Sequence, residues 1–126
     1  MNAAIKVRPL ILLAEDEAII GLELTVDLND AGFEVAGPFS TCAAAEEWLK
    51  TGETPDAASR DNLLKDGPCD ALASDLSRRG IPVIMFSGHD APPTISPTEW
   101  RGAWVTKPVA FPILLETLKS EMRSHP

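Results

Sequence analysis

The sequence predicts an α/β domain built on an open parallel sheet. Short apolar runs alternate with stretches of helical apolar spacing along the whole chain. Three of those runs lead directly into residues able to do chemistry. Leu10–Ala14 leads into Glu15-Asp16, Ile81–Phe86 into Ser87-Gly88, and Ala103–Thr106 into Lys107-Pro108. A length of 126 residues with 44% hydrophobic content suits one domain, residues 1–126, with its core over about 10–123. In a parallel sheet all strand C-termini share one edge, where ligands bind. Glu15, Asp16, Asp61, Ser87 and Lys107 are therefore expected in one pocket.

The first strand is Leu10–Ala14, followed by a helix over about 17–31. Ile20, Leu24 and Leu28 repeat at helical spacing, Ile19, Leu22 and Val26 widen the apolar face, and Gly32 stops the helix. Phe33–Ala36 reads as a second strand ended by Gly37-Pro38. Ser40 or Thr41 caps a second helix, Cys42–Lys50, anchored by Trp48 and Leu49 and ended by Gly52. The third strand, Asp56–Arg60, is poor in β-branched residues and polar at Ser59-Arg60; the α/β alternation requires a strand before Asp61. After a turn at Lys65–Pro68 a third helix runs over about 69–79, with Leu72 and Leu76 four apart and Gly80 closing it. Pro82–Phe86 is the fourth strand.

The prolines at 92, 93 and 97 exclude a regular helix in the fourth crossover, leaving at most a short turn near Thr98–Arg101. Ala103–Thr106 is the fifth strand. The last helix starts with Pro112 in its first turn and continues through Ile113, Leu114, Leu115, Leu118 and Met122.

A net charge of -8 with no basic stripe excludes a nucleic-acid surface. No apolar stretch approaches the roughly 20 residues of a membrane span. No signal-peptide pattern precedes the first strand, so a cytoplasmic location is the expectation. Cys42 and Cys69 lie in no metal-binding or redox spacing and read as reduced packing residues. His89 and His125 read as solvated, and Trp48 and Trp100 as packing residues.

Three carboxylates sharing a pocket repel one another, and a hard divalent cation removes that cost. Mg²⁺ held by Glu15, Asp16 and Asp61 would also bind a phosphoryl oxygen. Lys107 would neutralise a second oxygen and the Ser87 hydroxyl would hydrogen-bond a third. Asp61 is then a carboxylate nucleophile facing phosphorus, the setting in which aspartyl phosphates form.

Glu15-Asp16, Asp61, Ser87-Gly88 and Lys107-Pro108, in this order over five βα units, resemble the receiver domain of two-component response regulators. The resemblance runs from Leu10 to about Arg123. It implies a doubly wound, flavodoxin-like sheet of order 2-1-3-4-5, here with a shortened or irregular fourth helix. It implies that Asp61 accepts a phosphoryl group from a histidine kinase or a histidine phosphotransfer protein. Glu15 and Asp16 would bind Mg²⁺ with help from the Leu63 backbone carbonyl, Ser87 and Lys107 would engage the phosphoryl group, and Lys107-Pro108 would be cis. Ser87 and Trp104 correspond to the family's switch pair. The implied role is a signalling domain rather than an enzyme, with a downstream protein target and possible homodimerisation.

The chain departs from the family at four places. Arg60 replaces an apolar residue before Asp61, Trp104 is bulkier than the usual Tyr or Phe, Pro92–Pro97 replaces a regular helix, and Val109 stands where Phe is common. A pseudo-receiver, binding partners without phosphorylation, is the alternative that Arg60 and the proline segment support. A phosphatase of the haloacid dehalogenase type is disfavoured, because its D-x-D signature is absent and no cap domain fits the length.

Overall fold

The structure, a computed structural model, describes residues 8–61, 64–87, 103–107 and 110–124, without the side chains of Ser87 and Ser124. Within these residues lie β1 (Leu10–Ala14), α1 (Ala18–Asp30), β2 (Glu34–Phe39), α2 (Cys42–Leu49), β3 (Ala57–Arg60), α3 (Asp70–Arg78), β4 (Val83–Ser87), β5 (Ala103–Thr106) and α4 (Phe111–Ser124). All strand pairs are parallel, in the order β2-β1-β3-β4-β5. The expected doubly wound sheet is therefore present. The expectations for Leu63, the Lys107-Pro108 peptide, His89, the Pro92–Pro97 crossover, Trp100, Val109 and His125 lie outside the described residues.

β1 is flanked on both sides, with Leu12 opposite Ala36 of β2 and Ala58 of β3. Both of its faces are covered, which is why it is apolar throughout rather than alternating. Ile11 and Leu13 point into one core layer with Leu24, Leu28, Ile84, Leu114 and Leu118. Leu12 and Ala14 point into the other, with Ala45, Leu49, Leu72 and Leu76. Each fully buried Leu or Ile side chain contributes about 1.5–3 kcal/mol of transfer free energy.

β3 forms despite its weak β-propensity because β1 and β4 pair with it on either side. All four of its residues are buried, the polar Ser59 and Arg60 included. α1 ends where Gly32, at φ 96°, reverses the chain and Phe33 N–H donates to Leu28 O. α2 is capped by Thr41, whose hydroxyl accepts from Ala44 N–H at 3.1 Å.

Three expectations need correction. Ile19, Leu22 and Val26 do not widen the buried face of α1; they are 75%, 64% and 50% exposed. A helix lying on a sheet buries only one stripe, here Leu24 and Leu28 with Ile20 beside them. β2 does not end at Ala36 but continues to Phe39 through a cis Gly37-Pro38 peptide. The sheet edge tolerates this because Pro lacks only an outward donor there. Finally, Cys42 and Cys69 are not reduced packing residues: they form a disulfide with Cα atoms 5.3 Å apart. Their 27-residue separation concealed it, since only the side-by-side packing of α2 and α3 brings the two together.

No helix among the described residues is long and apolar enough to cross a membrane.

Candidate functional site

The parallel strands deliver β1, β3 and β5 to one edge, and the residue after each is charged: Glu15, Asp61 and Lys107. Backbone pairing sets their height. Asp61 N–H donates to Ala14 O and Glu15 N–H to Phe39 O, both at 2.9 Å. Gly37 allows the second contact. Its φ is 116°, and a Cβ there would collide with the Leu13 carbonyl oxygen.

Lys107 joins the site. Its Nζ donates to Glu15 Oε1 at 2.7 Å and to Asp61 Oδ2 at 3.1 Å, and lies 3.4 Å from Glu17 Oε1. The Phe86 ring centroid is 5.2 Å from the same ammonium. Glu15 is buried, and its other oxygen accepts from Glu17 N–H at 3.1 Å. Burial pushes the Glu15 carboxyl above its ordinary value, with the Lys107 hydrogen bond opposing this. Burial alone would lower the Lys107 ammonium, but its hydrogen bond and attraction to Glu15, with Asp61 adding to them, leave it raised.

Carboxylate oxygens of Glu15, Asp16, Glu17 and Asp61 all lie within 4.8 Å of one another. Three of these carboxylates contact the Lys107 ammonium, and hard oxygen donors at this spacing suit a small divalent cation such as Mg²⁺. Sequence reading placed three of these acids together and passed over Glu17. Its signal was its place in the acidic run Glu15-Asp16-Glu17, where it reads equally well as the residue opening α1.

Ser87 ends β4 opposite Thr106, so its backbone is at the same edge. Trp104 is half-buried on β5 opposite Met85. Arg60 is 4% exposed, and its guanidinium donates to Pro68 O at 2.7 Å.

No known family model matches the chain, and no curated protein matches it. Solved structures do. A response regulator receiver protein from Sinorhizobium medicae superposes with a TM-score of 0.75 at 27% identity, over 93% of this chain and 96% of that one. The N-terminal domain of a response regulator/sensory box/GGDEF protein from Carboxydothermus hydrogenoformans gives 0.78 at 22% identity, over 91% and 94%. The non-phosphorylated HemR receiver domain from Leptospira biflexa gives 0.78 at 23%, over 91% and 94%. The order β2-β1-β3-β4-β5, the helices on both faces and these superpositions agree, and the chain has the fold of response regulator receiver domains.

Proposed function

We propose that the chain is a single receiver domain of a two-component system, accepting a phosphoryl group on Asp61 from a histidine kinase or a histidine phosphotransfer protein. The observation that carries this reading is the contact of Lys107 Nζ with Asp61 Oδ2 inside a cluster of four carboxylates. Asp61 Oδ attacks phosphorus, the bond from phosphorus to the donor imidazole nitrogen breaks, and that nitrogen keeps the electron pair. Lys107 stands where it can turn from Asp61 to a phosphoryl oxygen and offset the charge spreading over it. Glu15 keeps that ammonium in place from beneath.

Glu15, Asp16 and Asp61 would hold Mg²⁺, with the Leu63 carbonyl completing the set and Glu17 at its rim. Bound there, the cation would neutralise phosphoryl oxygens. Ser87 would hydrogen-bond the phosphoryl group, and Trp104 would respond by changing its packing on β5, altering a surface read by a partner protein or a second copy. The domain would act as a signalling module rather than an enzyme with turnover.

A phosphorylation-independent pseudo-receiver is the second reading, and the buried cation Arg60 next to the acceptor favours it. Intact-protein mass after incubation with Mg²⁺ and a small acyl phosphate separates the two. The receiver reading expects a gain of one phosphoryl group that vanishes in Asp61→Asn and without Mg²⁺. A folded protein that gains nothing from either the small donor or a phosphorylated histidine phosphotransfer domain would overturn it.

A further inference from the structure

Arg60 is a cation held in the sheet interior, and interiors admit charges only where something holds them. Strand alternation puts it on the same face as Ala58, toward α2 and α3, while Asp61 is the next residue along. From there its guanidinium reaches the Pro68 carbonyl, eight residues on, at 2.7 Å. Pro68 lies at the far end of the segment that begins with Asp61 and leads into α3. Arg60 is thus a chord across the acceptor loop.

Other contacts secure the same end of the loop. Asp66 accepts from Cys42 N–H at 2.6 Å and Ala43 N–H at 3.1 Å, and Lys65 N–H donates to Ser40 O at 3.2 Å. Leu64 and Gly67 exchange backbone hydrogen bonds at 3.0 and 3.1 Å, and Cys69 is bridged to Cys42. Those contacts all tie the loop to its own residues or to the start of α2. The Arg60 contact is a side-chain hydrogen bond that ties it to β3, the strand that leads into Asp61. An aliphatic residue at position 60 would pack but could not make it.

The charge matters as well as the reach. Arg60 attracts Asp61 and Asp70, the first residue of α3, and stays protonated even though burial lowers its pKa. Glu15, Asp16, Glu17 and Asp61 bring four negative charges and Lys107 brings one positive. Arg60 adds a second positive charge that acts on Asp61. A positive charge so placed opposes the entry of a divalent cation and favours anionic oxygen near Asp61.

We propose that Arg60 is a positioning residue for the acceptor loop, tying its far end to β3 and tempering the attraction of the acidic cluster for divalent cations. The cation part of this inference rests on the receiver reading; the loop part does not.

The test compares the wild-type chain with Arg60→Met, which keeps bulk without charge, and Arg60→Lys, which keeps charge without the guanidinium fork. Amide exchange at Leu64 and Gly67 is expected to speed about tenfold in Arg60→Met relative to the core amides of β1. Mg²⁺ titration by calorimetry is expected to show about fivefold tighter binding in Arg60→Met and wild-type affinity in Arg60→Lys. Unchanged exchange in both variants overturns the loop role, and one affinity across all three proteins overturns the charge role. If no form binds Mg²⁺ while exchange still separates the variants, the receiver reading fails and the loop role stands.

Discussion

The Lys107 ammonium lies 2.7 Å from a carboxylate oxygen of Glu15, across 92 residues of chain. The two side chains are 9% and 2% exposed, so neither has water to fall back on. Asp61 shares the same ammonium at 3.1 Å. One cation thus holds two carboxylates together at the sheet edge, and the site is a structural element as well as a candidate reaction centre.

Removing that cation should show in stability. Lys107→Ala leaves Glu15 buried without its partner, a change that costs about 3 kcal/mol when a buried pair is broken. Urea denaturation without divalent cations is expected to show that loss. Millimolar Mg²⁺ is expected to recover part of it by supplying positive charge to the same oxygens. A loss that Mg²⁺ does not touch would argue against cation binding by Glu15.

The Cys42–Cys69 bridge closes a loop of 27 residues in sequence separation. A crosslink of that span stabilises by roughly 3–4 kcal/mol through the unfolded chain. The double variant Cys42→Ser/Cys69→Ser is expected to lose that amount in denaturant titration, and to match the wild-type protein measured in excess dithiol. Identical stability of the oxidised and reduced wild-type protein would contradict this.

Asp66 gives the stability a pH dependence. Hydrogen bonds from Cys42 N–H, and then Ala43 N–H, hold its carboxyl below the ordinary value of 3.8. As pH falls, the unfolded chain takes up this proton before the folded one does. The stabilisation is therefore complete above the ordinary value and is lost as pH drops through the folded pKa. Asp66→Ala is expected to lower Tm at neutral pH and to flatten the Tm–pH curve below pH about 4 relative to wild type. Parallel curves for the two proteins would remove Asp66 from the account.

Gly37→Ala is expected to destabilise by more than about 2 kcal/mol, because φ of 116° strains any side chain and the Cβ meets the Leu13 carbonyl. The loss should extend to the site, since Glu15 N–H hangs on Phe39 O two residues later. Thermal melting checks the first point. Weakened Mg²⁺ binding in folded Gly37→Ala checks the second.

Much of this architecture was legible because burial on both faces writes itself into composition. Leu10–Ala14 and Val83–Phe86 are apolar at every position, as strands flanked by helices on either side must be. β3 was legible only by elimination, because Ala57–Arg60 carries no strand signal of its own and forms through its neighbours. Ile19, Leu22 and Val26 misled in the other direction: apolar identity marks what a helix can bury, and the sheet takes one stripe.

By itself the sequence determined the order of elements, the parallel sheet, and the convergence of Glu15, Asp16, Asp61 and Lys107 on one edge. Those follow from local periodicity and from the polarity of a parallel sheet, both of which act within a few residues. Only the tertiary structure decided that Cys42 bonds to Cys69 and that Arg60 turns inward to the Pro68 carbonyl. These depend on where α2, α3 and the loop ends come to rest against one another. Contacts of that kind arise from the packing of whole elements, and no pattern along the chain encodes them.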